Sequence, residues 1–471
     1  MEPTAENSRR RRILSWYRWR RAGKIVFDSV PEPDQSAHFV LSTEIPTERS
    51  GDSTEAVVFS APGTVAARGA YRALAERLRS TDADMVTCDH LVTGNHPLAF
   101  HKPQFSPRLL ASGPYLGPVF AVRPTVVATS GSDPHSALLE IASQANRIEH
   151  ADHLWFATPE GFGVEPSAPA AEAALRNTHD VWASPALGGR WLQIDLSPRS
   201  SQPTTVVIPT RDGGHRLLRL VDSIGESPLP ARVIVVDNDS ADSTTRDILT
   251  KIGARSHVSV VAAPGAFNFS RVCNMALAQV RTETVAFIND DIKPIDNRWL
   301  SQLVANLDDP AIGVVGPQLR FPAGAVQHAG VVLGLGGAAG HAFRGSDPDD
   351  DGYLGLSGVR REVSAVTGAC LVARTADLKT IEGFDEQYQM DFQDVDLCLR
   401  MQKQLGLATV MDPRRPLEHL ESATRGRTDA EPADADLLRR RWAEAIDHDP
   451  YYSRRLPNVN PGYSLKVTSP T

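Results

Sequence analysis

At 471 residues the chain is too long for one ordinary domain, and two to three are expected. It is 41% hydrophobic and 23% charged, which suits a globular protein with a full core, and its net charge of −8 argues against general nucleic-acid affinity. Its four cysteines (Cys88, Cys273, Cys370, Cys398) lack metal-type spacing and fit a reduced, cytoplasmic compartment, and no apolar run approaches the roughly 18 residues of a membrane span.

Residues 8–27 are the compositional anomaly. Eight basic residues (Arg9, Arg10, Arg11, Arg12, Arg18, Arg20, Arg21, Lys24) and no acidic ones are interleaved with Trp16, Tyr17 and Trp19. No apolar core separates the charges from a cleavage site, so a secretory signal is not expected. Basic side chains with interfacial aromatics suit peripheral contact with an anionic membrane on the inner face, and equally a basic tail or a helix docked on an acidic patch of the same chain.

Residues 29–195 carry a faint internal echo of the C-terminal half of the chain. Ala56–Phe59 reads as a short strand, 66–79 as a helix and Asp84–Thr87 as a second strand. That order matches Val285–Ile288, a helix from Trp299 and a strand at Gly313. Pro118–Arg123 likewise parallels Ala369–Arg374.

From Pro203 the pattern alternates. Thr205–Ile208 is an apolar strand closed by Pro209. His215–Ile224 has helical spacing at Leu217, Leu218, Leu220, Val221 and Ile224. Arg232–Val236 is a strand ended by Asp237-Asn238-Asp239-Ser240, residues 241–252 a helix, Val258–Ala262 a strand and Arg271–Val280 a helix. Repeated β–α–β units predict an α/β domain with a mainly parallel sheet flanked by helices. Gly313–Gly316, 328–334 and Ser364–Ala373 read as further strands, 330–340 and Asp347–Gly352 as loops, and 434–447 as a helix before a Pro- and Asn-rich tail. The expected division is a basic segment (1–28), a smaller α/β domain (29–195), a larger α/β domain (196–430) and a C-terminal helix and tail (431–471).

The run Val285-Ala286-Phe287-Ile288 breaks into Asn289-Asp290-Asp291, which puts two carboxylates at the C-terminal end of a buried strand. In open α/β sheets that rim is where ligands bind. Adjacent carboxylates repel, so a site keeping both ionised calls for a cation, and all-oxygen ligation suits Mg²⁺ or Mn²⁺ gripping a diphosphate. A helix N-cap in a surface turn is the bland alternative. The echo of this position in the first half is Ser60-Ala61-Pro62-Gly63, with no carboxylate. Residues 392–400 place Asp394, Asp396 and Arg400 among apolar Val395, Leu397 and Leu399, the start of a partly buried helix.

Nine ordered motifs between Thr204 and Thr428 carry a resemblance: TTVVIPTRD (204–212), VIVVDNDSAD (233–242), FNFSRVCNMA (267–276), FINDDI (287–292), VQHAGVVLG (326–334), VSAVTGACLVAR (363–374), GFDE (383–386), FQDVDLCLR (392–400) and HLESATRG (419–426). The chain resembles the family 2 glycosyltransferases of the nucleotide-sugar-binding GT-A fold, above all their bacterial rhamnosyltransferase-like members. The first half resembles the degenerate domain found ahead of the catalytic one in some tandem members, with HKPQFSPRLLASGPYLG (101–117) its most telling stretch.

The resemblance implies roles. Asp237 would accept from the pyrimidine ring N–H, Asp212 and Pro209 would lie at the nucleotide, and Asp290 would hold the ribose or the ion. Asp291 would ligate a divalent metal (Mn²⁺ or Mg²⁺) and His419 would reach the metal or diphosphate, with Arg425 beside it. Asp394 would be the general base, preceded here by Gln393 where many members have Glu. Asp396, in the same pocket, would be the reserve base candidate, holding the helix or an acceptor hydroxyl, while Thr367 and Gly368 would line the pocket, with Gln327 and His328 adding polar contacts. The implied activity is inverting, metal-dependent transfer of a sugar from a nucleoside-diphosphate donor (dTDP-rhamnose or a UDP-sugar) to a hydroxyl of a surface polysaccharide or lipid-linked glycan. Rival readings are a sugar nucleotidyltransferase, disfavoured because 209–216 hold no lysine for a triphosphate, and a catalytically weak carbohydrate-binding scaffold.

Overall fold

The computed structural model describes residues 39–42, 56–93, 97–126, 128, 133–159, 164–349, 353–420, 431–459 and 462–463. The basic segment 1–28 and Arg425 lie outside the described residues.

In the larger domain, β-branched runs make strands that are buried on both faces inside the sheet, as parallel sheets require, and partly exposed at the edge strand Val258–Ala262. Thr204–Thr210 (β10), Ala231–Asp237 (β11), Val258–Ala262 (β12) and Thr284–Ile288 (β13) are mutually parallel in the order β12-β11-β10-β13. The connecting helices follow their sequence signals. Helix Gly214–Gly225 buries Leu217, Leu220, Val221 and Ile224 along one stripe. Helix Ser243–Gly253 is capped by the Asp242 carboxylate, which accepts from Thr245 N at 2.7 Å.

Beyond β13 the sheet becomes mixed. Cys370–Arg374 (β20) runs antiparallel to β13 and to Ile312–Arg320 (β15), while Ala408–His419 (β21) runs parallel to β15. Ile292–Pro294 (β14) closes the edge against β21, and Val326–His328 (β16) and Arg361–Glu362 (β19) attach to β15 and β21. Stretch 328–334, expected as one strand, is split. β16 ends at His328, and Val331–Leu333 (β17) begins after Gly330, whose φ of +96° leaves extended geometry and whose added Cβ would meet Val363 at 2.6 Å. Stretch 330–340, expected as a loop, instead forms the hairpin of β17 with Ala339–His341 (β18).

The smaller sheet contains Phe39–Ser42 (β1), Ala56–Ser60 (β2), Val65–Ala66 (β3), Met85–Val92 (β4), Leu98–Phe100 (β5), Val119–Val122 (β6) and Ile148–Thr158 (β7), ordered β1-β2-β6-β4-β7-β3 with β5 on β4. Strand for strand this is β10-β13-β20-β15-β21-β14 with β16 on β15, in the same chain order and with the same parallel or antiparallel sense at every pairing. The register makes Ala61 equivalent to Asn289, since Ala61 N donates to Pro118 O and Asn289 N to Ala369 O, both at 2.9 Å. Only 13 residues separate Ser42 from Ala56, against 73 between Thr210 and Thr284, too few for counterparts of β11 and β12.

A hairpin of Asp180–Ala186 (β8) and Trp191–Ser197 (β9) joins the two sheets. One apolar cluster runs from Phe59 and Phe120 through Tyr353 and Leu356 to Phe287 and Leu371. Within it a buried polar knot crosses between the halves. Glu362 of β19 accepts from Arg108 Nη1 at 3.1 Å and from the Ser106 hydroxyl, and Arg108 also pairs with Asp309. Among the described residues, no helix is long and apolar enough to cross a membrane.

Candidate functional site

The parallel strands β10, β11 and β13 point their C-terminal ends at one rim, which is where the polar residues following each strand converge. Asp237 ends β11, half-buried, and its Oδ1 accepts from Ser240 N at 3.1 Å. Asp212 is exposed, with φ of +55°. Its carboxylate accepts from Ala241 N and Asp242 N, both at 2.8 Å, and its own N–H donates to Ser240 Oγ. It therefore ties together the loops that follow β10 and β11. Pro209 is buried within β10 opposite Val236, one residue short of the strand end.

Asp290 is half-buried, and its Oδ2 accepts from the Thr210 hydroxyl at 2.5 Å. Burial, with Asp291 next door, pushes its carboxyl up to about 6 despite that hydrogen bond. Gly213 lies flush against it: a Cβ there would overlap Asp290 Oδ2 and fall 2.6 Å from Thr210 Oγ1.

Asp291 is 8% exposed. Its Oδ1 makes no hydrogen bond of normal geometry and faces His419 Nε2 at 3.2 Å. Pairing of β14 with β21 sets this contact, with Ile292 opposite His419 and Leu420 N donating to Asp291 O. On its other side, His419 Nδ1 lies 2.7 Å from Gln327 Oε1 of β16. An amide oxygen accepts, so His419 Nδ1 carries a proton, and Nε2 faces the carboxylate, donating to it when protonated and, in the neutral ring, keeping a lone pair that a cation can take. Burial pushes the Asp291 carboxyl up, but the hydrogen bond and positive charge that the protonated form of the His419 ring supplies outweigh it and hold the group below its ordinary value. An orphaned buried carboxylate oxygen beside an imidazole nitrogen is a donor set that fits a divalent cation.

Asp394 opens helix Gln393–Leu405 behind Phe392, whose φ is +63°. Its Oδ2 accepts from Gly368 N at 2.6 Å and its Oδ1 from Val395 N at 2.8 Å. Burial pushes its carboxyl up, against the two amides that favour the anion. The next residue after Gly368 bonds the acid loop, Ala369 O accepting from Asn289 N at 2.9 Å, so base candidate and acid pair hang on one short backbone link. Thr367 is 7% exposed, and its hydroxyl turns inward to accept from Ala369 N.

Asp396, expected in the pocket to hold either an acceptor hydroxyl or the helix, is fully buried and engaged by Arg400 Nε (2.7 Å), Arg441 Nη1 (2.9 Å) and Trp442 Nε1 (2.9 Å), so it holds helices rather than facing the pocket. It fastens the C-terminal helix Pro432–Asp447 to helix 393–405, because its (i, i+4) spacing to Arg400 and the tertiary approach of Arg441 and Trp442 saturate it. His328 is also buried, with Nδ1 at 3.2 Å from His341 Nδ1, and burial holds its ring well below the ordinary histidine value.

Three residues that the sequence gave little reason to single out shape the site. Thr210 fixes Asp290. Gln327, expected only as a nearby polar contact, sets the His419 tautomer. Asp434, 2% exposed, accepts from the N–H groups of Gln389, Met390 and Asp391 and so pins the turn that leads into Asp394. In sequence Asp434 carries only a helix-start signal, since its partners lie more than 40 residues away. In the smaller sheet, Pro62, Gly63 and Thr158 occupy the positions of Asp290, Asp291 and His419.

Comparison with known proteins adds to this geometry. Residues 205–332 match the model of glycosyl transferase family 2. The chain is 30% identical to the O-antigen biosynthesis protein RfbC of Myxococcus xanthus over 80% of its own length and 31% of the relative's. It is 26% identical to the N-acetylglucosaminyl-diphospho-decaprenol L-rhamnosyltransferase of Mycobacterium tuberculosis over 48% of this chain and 78% of that one. A crystal structure of GalNAc-T7 with UDP, GalNAc and Mn²⁺ superposes with a TM-score of 0.44 at 13% identity, covering 54% of this chain and 51% of that one. The chain spans 37% and 31% of the lengths of the two curated relatives that match most of it. On its motif order, its matched segment and its α/β architecture, the chain belongs to glycosyl transferase family 2 and has the GT-A fold.

Proposed function

We propose that the chain is an inverting, metal-dependent glycosyltransferase, moving a sugar from a nucleoside diphosphate to a hydroxyl of a surface polysaccharide or lipid-linked glycan. The observation that carries the metal-dependent part is the buried Asp291 Oδ1, without a hydrogen bond of normal geometry and 3.2 Å from His419 Nε2, two donor atoms that a divalent cation would accept. Asp291 and His419 would hold Mn²⁺ or Mg²⁺, which supplies charge neutralisation at a departing diphosphate.

The protein's own groups account for the rest. Asp237, at the end of β11, and Asp212, in the loop that follows β10, would take the base and ribose, and Asp290, fixed by Thr210 after β13, would hold the ribose or the ion. Asp394, anchored by Gly368 N, accepts the proton of the acceptor hydroxyl as that oxygen attacks the anomeric carbon. Its raised proton affinity suits a base. A single displacement inverts the anomeric centre. The relatives named for O-antigen biosynthesis and rhamnosyl transfer favour a glycan acceptor and make dTDP-rhamnose the first donor to test, UDP-sugars the second. The basic aromatic segment 8–27 would bring the protein to the inner membrane face, where lipid-linked acceptors lie.

The test is donor turnover by the purified chain across a nucleotide-sugar panel with and without Mn²⁺. The reading requires metal-dependent turnover of at least one donor, abolished in Asp291→Asn. Turnover that survives chelation and Asp291→Asn would overturn it.

A further inference from the structure

The smaller sheet, lacking the rim acids, carries a polar cluster of its own. Asp89 in β4 is fully buried. Its Oδ2 lies 2.7 Å from His101 Nδ1 and its Oδ1 lies 2.8 Å from His150 Nε2, and Oδ1 also accepts from Lys102 N. Asp152, further along β7, completes the group: donor atoms of Asp89, His101 and Asp152 all lie within 4.8 Å of one another. The shared register makes Gln318, Ala329, Met411 and Pro413 the equivalents of Asp89, His101, His150 and Asp152, so the cluster is not a remnant of the rim site.

Two carboxylates and an imidazole converge here, one donor atom from each. Carboxylates that meet need a proton or a cation between them. Imidazole with carboxylate suits Zn²⁺, whose ligands sit about 2.0–2.2 Å from the ion. The donors are held in place: His101 N donates to the Tyr353 hydroxyl at 2.7 Å, and Asp89 is itself hydrogen-bonded as ligating carboxylates usually are. Lys102 Nζ turns to the carbonyls of Leu116 and Gly117. Arg455 Nε, 2.8 Å from Asp152 Oδ1, is the cation that a metal would have to displace.

We propose that Asp89, His101 and Asp152 form a Zn²⁺-class divalent-metal site in the smaller domain, separate from the nucleotide rim, with His150 orienting Asp89 from outside. The experiment uses the full chain, stripped with chelator and titrated with Zn²⁺ alone against a chromophoric competitor. One tight Zn²⁺ per chain is expected in the wild type and in Asp291→Asn. Binding should be at least tenfold weaker in His101→Gln and in Asp152→Asn, and tighter in Arg455→Gln. Asp152 is half exposed, so its substitution tests the site even if His101→Gln fails to fold. Absence of tight Zn²⁺, wild-type affinity in Asp152→Asn, or loss of the ion in Asp291→Asn would each overturn the site. None of these outcomes depends on whether the rim transfers sugar.

Discussion

The Gly368 amide donates to Asp394 Oδ2 at 2.6 Å, and the following residue, Ala369, accepts from Asn289, so the carboxylate read as base is tethered to the acid motif by one turn of backbone. Asp394→Asn keeps size and removes the base. The expected result is a fall in kcat of about 10²–10⁴-fold with donor affinity unchanged. Burial raises the proton affinity of Asp394, and a base works only when deprotonated, so the rate should fall with decreasing pH through a value above the ordinary aspartate pKa of about 3.9. A kcat–pH profile that is flat down to that value would contradict the assignment.

Gln327 acts on the metal pair through His419. Gln327→Leu frees the imidazole tautomer, and apparent Mn²⁺ affinity should weaken about 10–100-fold, as for other outer partners of ligating histidines. Titration of Mn²⁺-dependent turnover reads this directly. Unchanged Mn²⁺ dependence would mean that the tautomer does not matter.

Gly213 has ordinary helical backbone angles, φ −70° and ψ −23°, so alanine would be tolerated conformationally. Its methyl group, however, would strike Asp290 and Thr210. Gly213→Ala should therefore weaken nucleoside-diphosphate binding by tenfold or more while leaving the melting temperature within a few degrees. Calorimetric titration and a thermal melt separate the two effects, and a large drop in melting temperature with intact binding would refute the steric account.

Arg108 and Glu362 join the two halves in a buried setting. Glu362→Ala leaves the guanidinium with Asp309 alone and the Ser106 hydroxyl without its acceptor. Breaking a buried pair from one side costs about 3–5 kcal/mol. Denaturant unfolding should show a loss of that order. A loss below about 1 kcal/mol would show that solvent reaches the pair and screens it.

Sequence alone settled the alternation of apolar runs with amphipathic helices, and with it a mainly parallel sheet and the rim on which Asp237, Asp290 and Asp291 stand, while the order β12-β11-β10-β13 came from the structure. Those features are local: periodicity marks an element, and a strand's C-terminal end marks a rim. Only the tertiary structure decided what each polar group faces. Gln327 and His419 are 92 residues apart, and Asp434 reaches the turn before Asp394 across more than 40. Asp394 and Asp396, alike in sequence, were told apart by packing: one carboxylate is held by backbone amides near the rim, the other is sealed by Arg400, Arg441 and Trp442. The repeat between the two sheets was faint in residues but is plain in strand order, because hydrogen-bond register persists where side chains have diverged. The cluster of Asp89, His101 and Asp152 has no short spacing to betray it. Three separate stretches of chain bring it together, and only folding places their donors side by side.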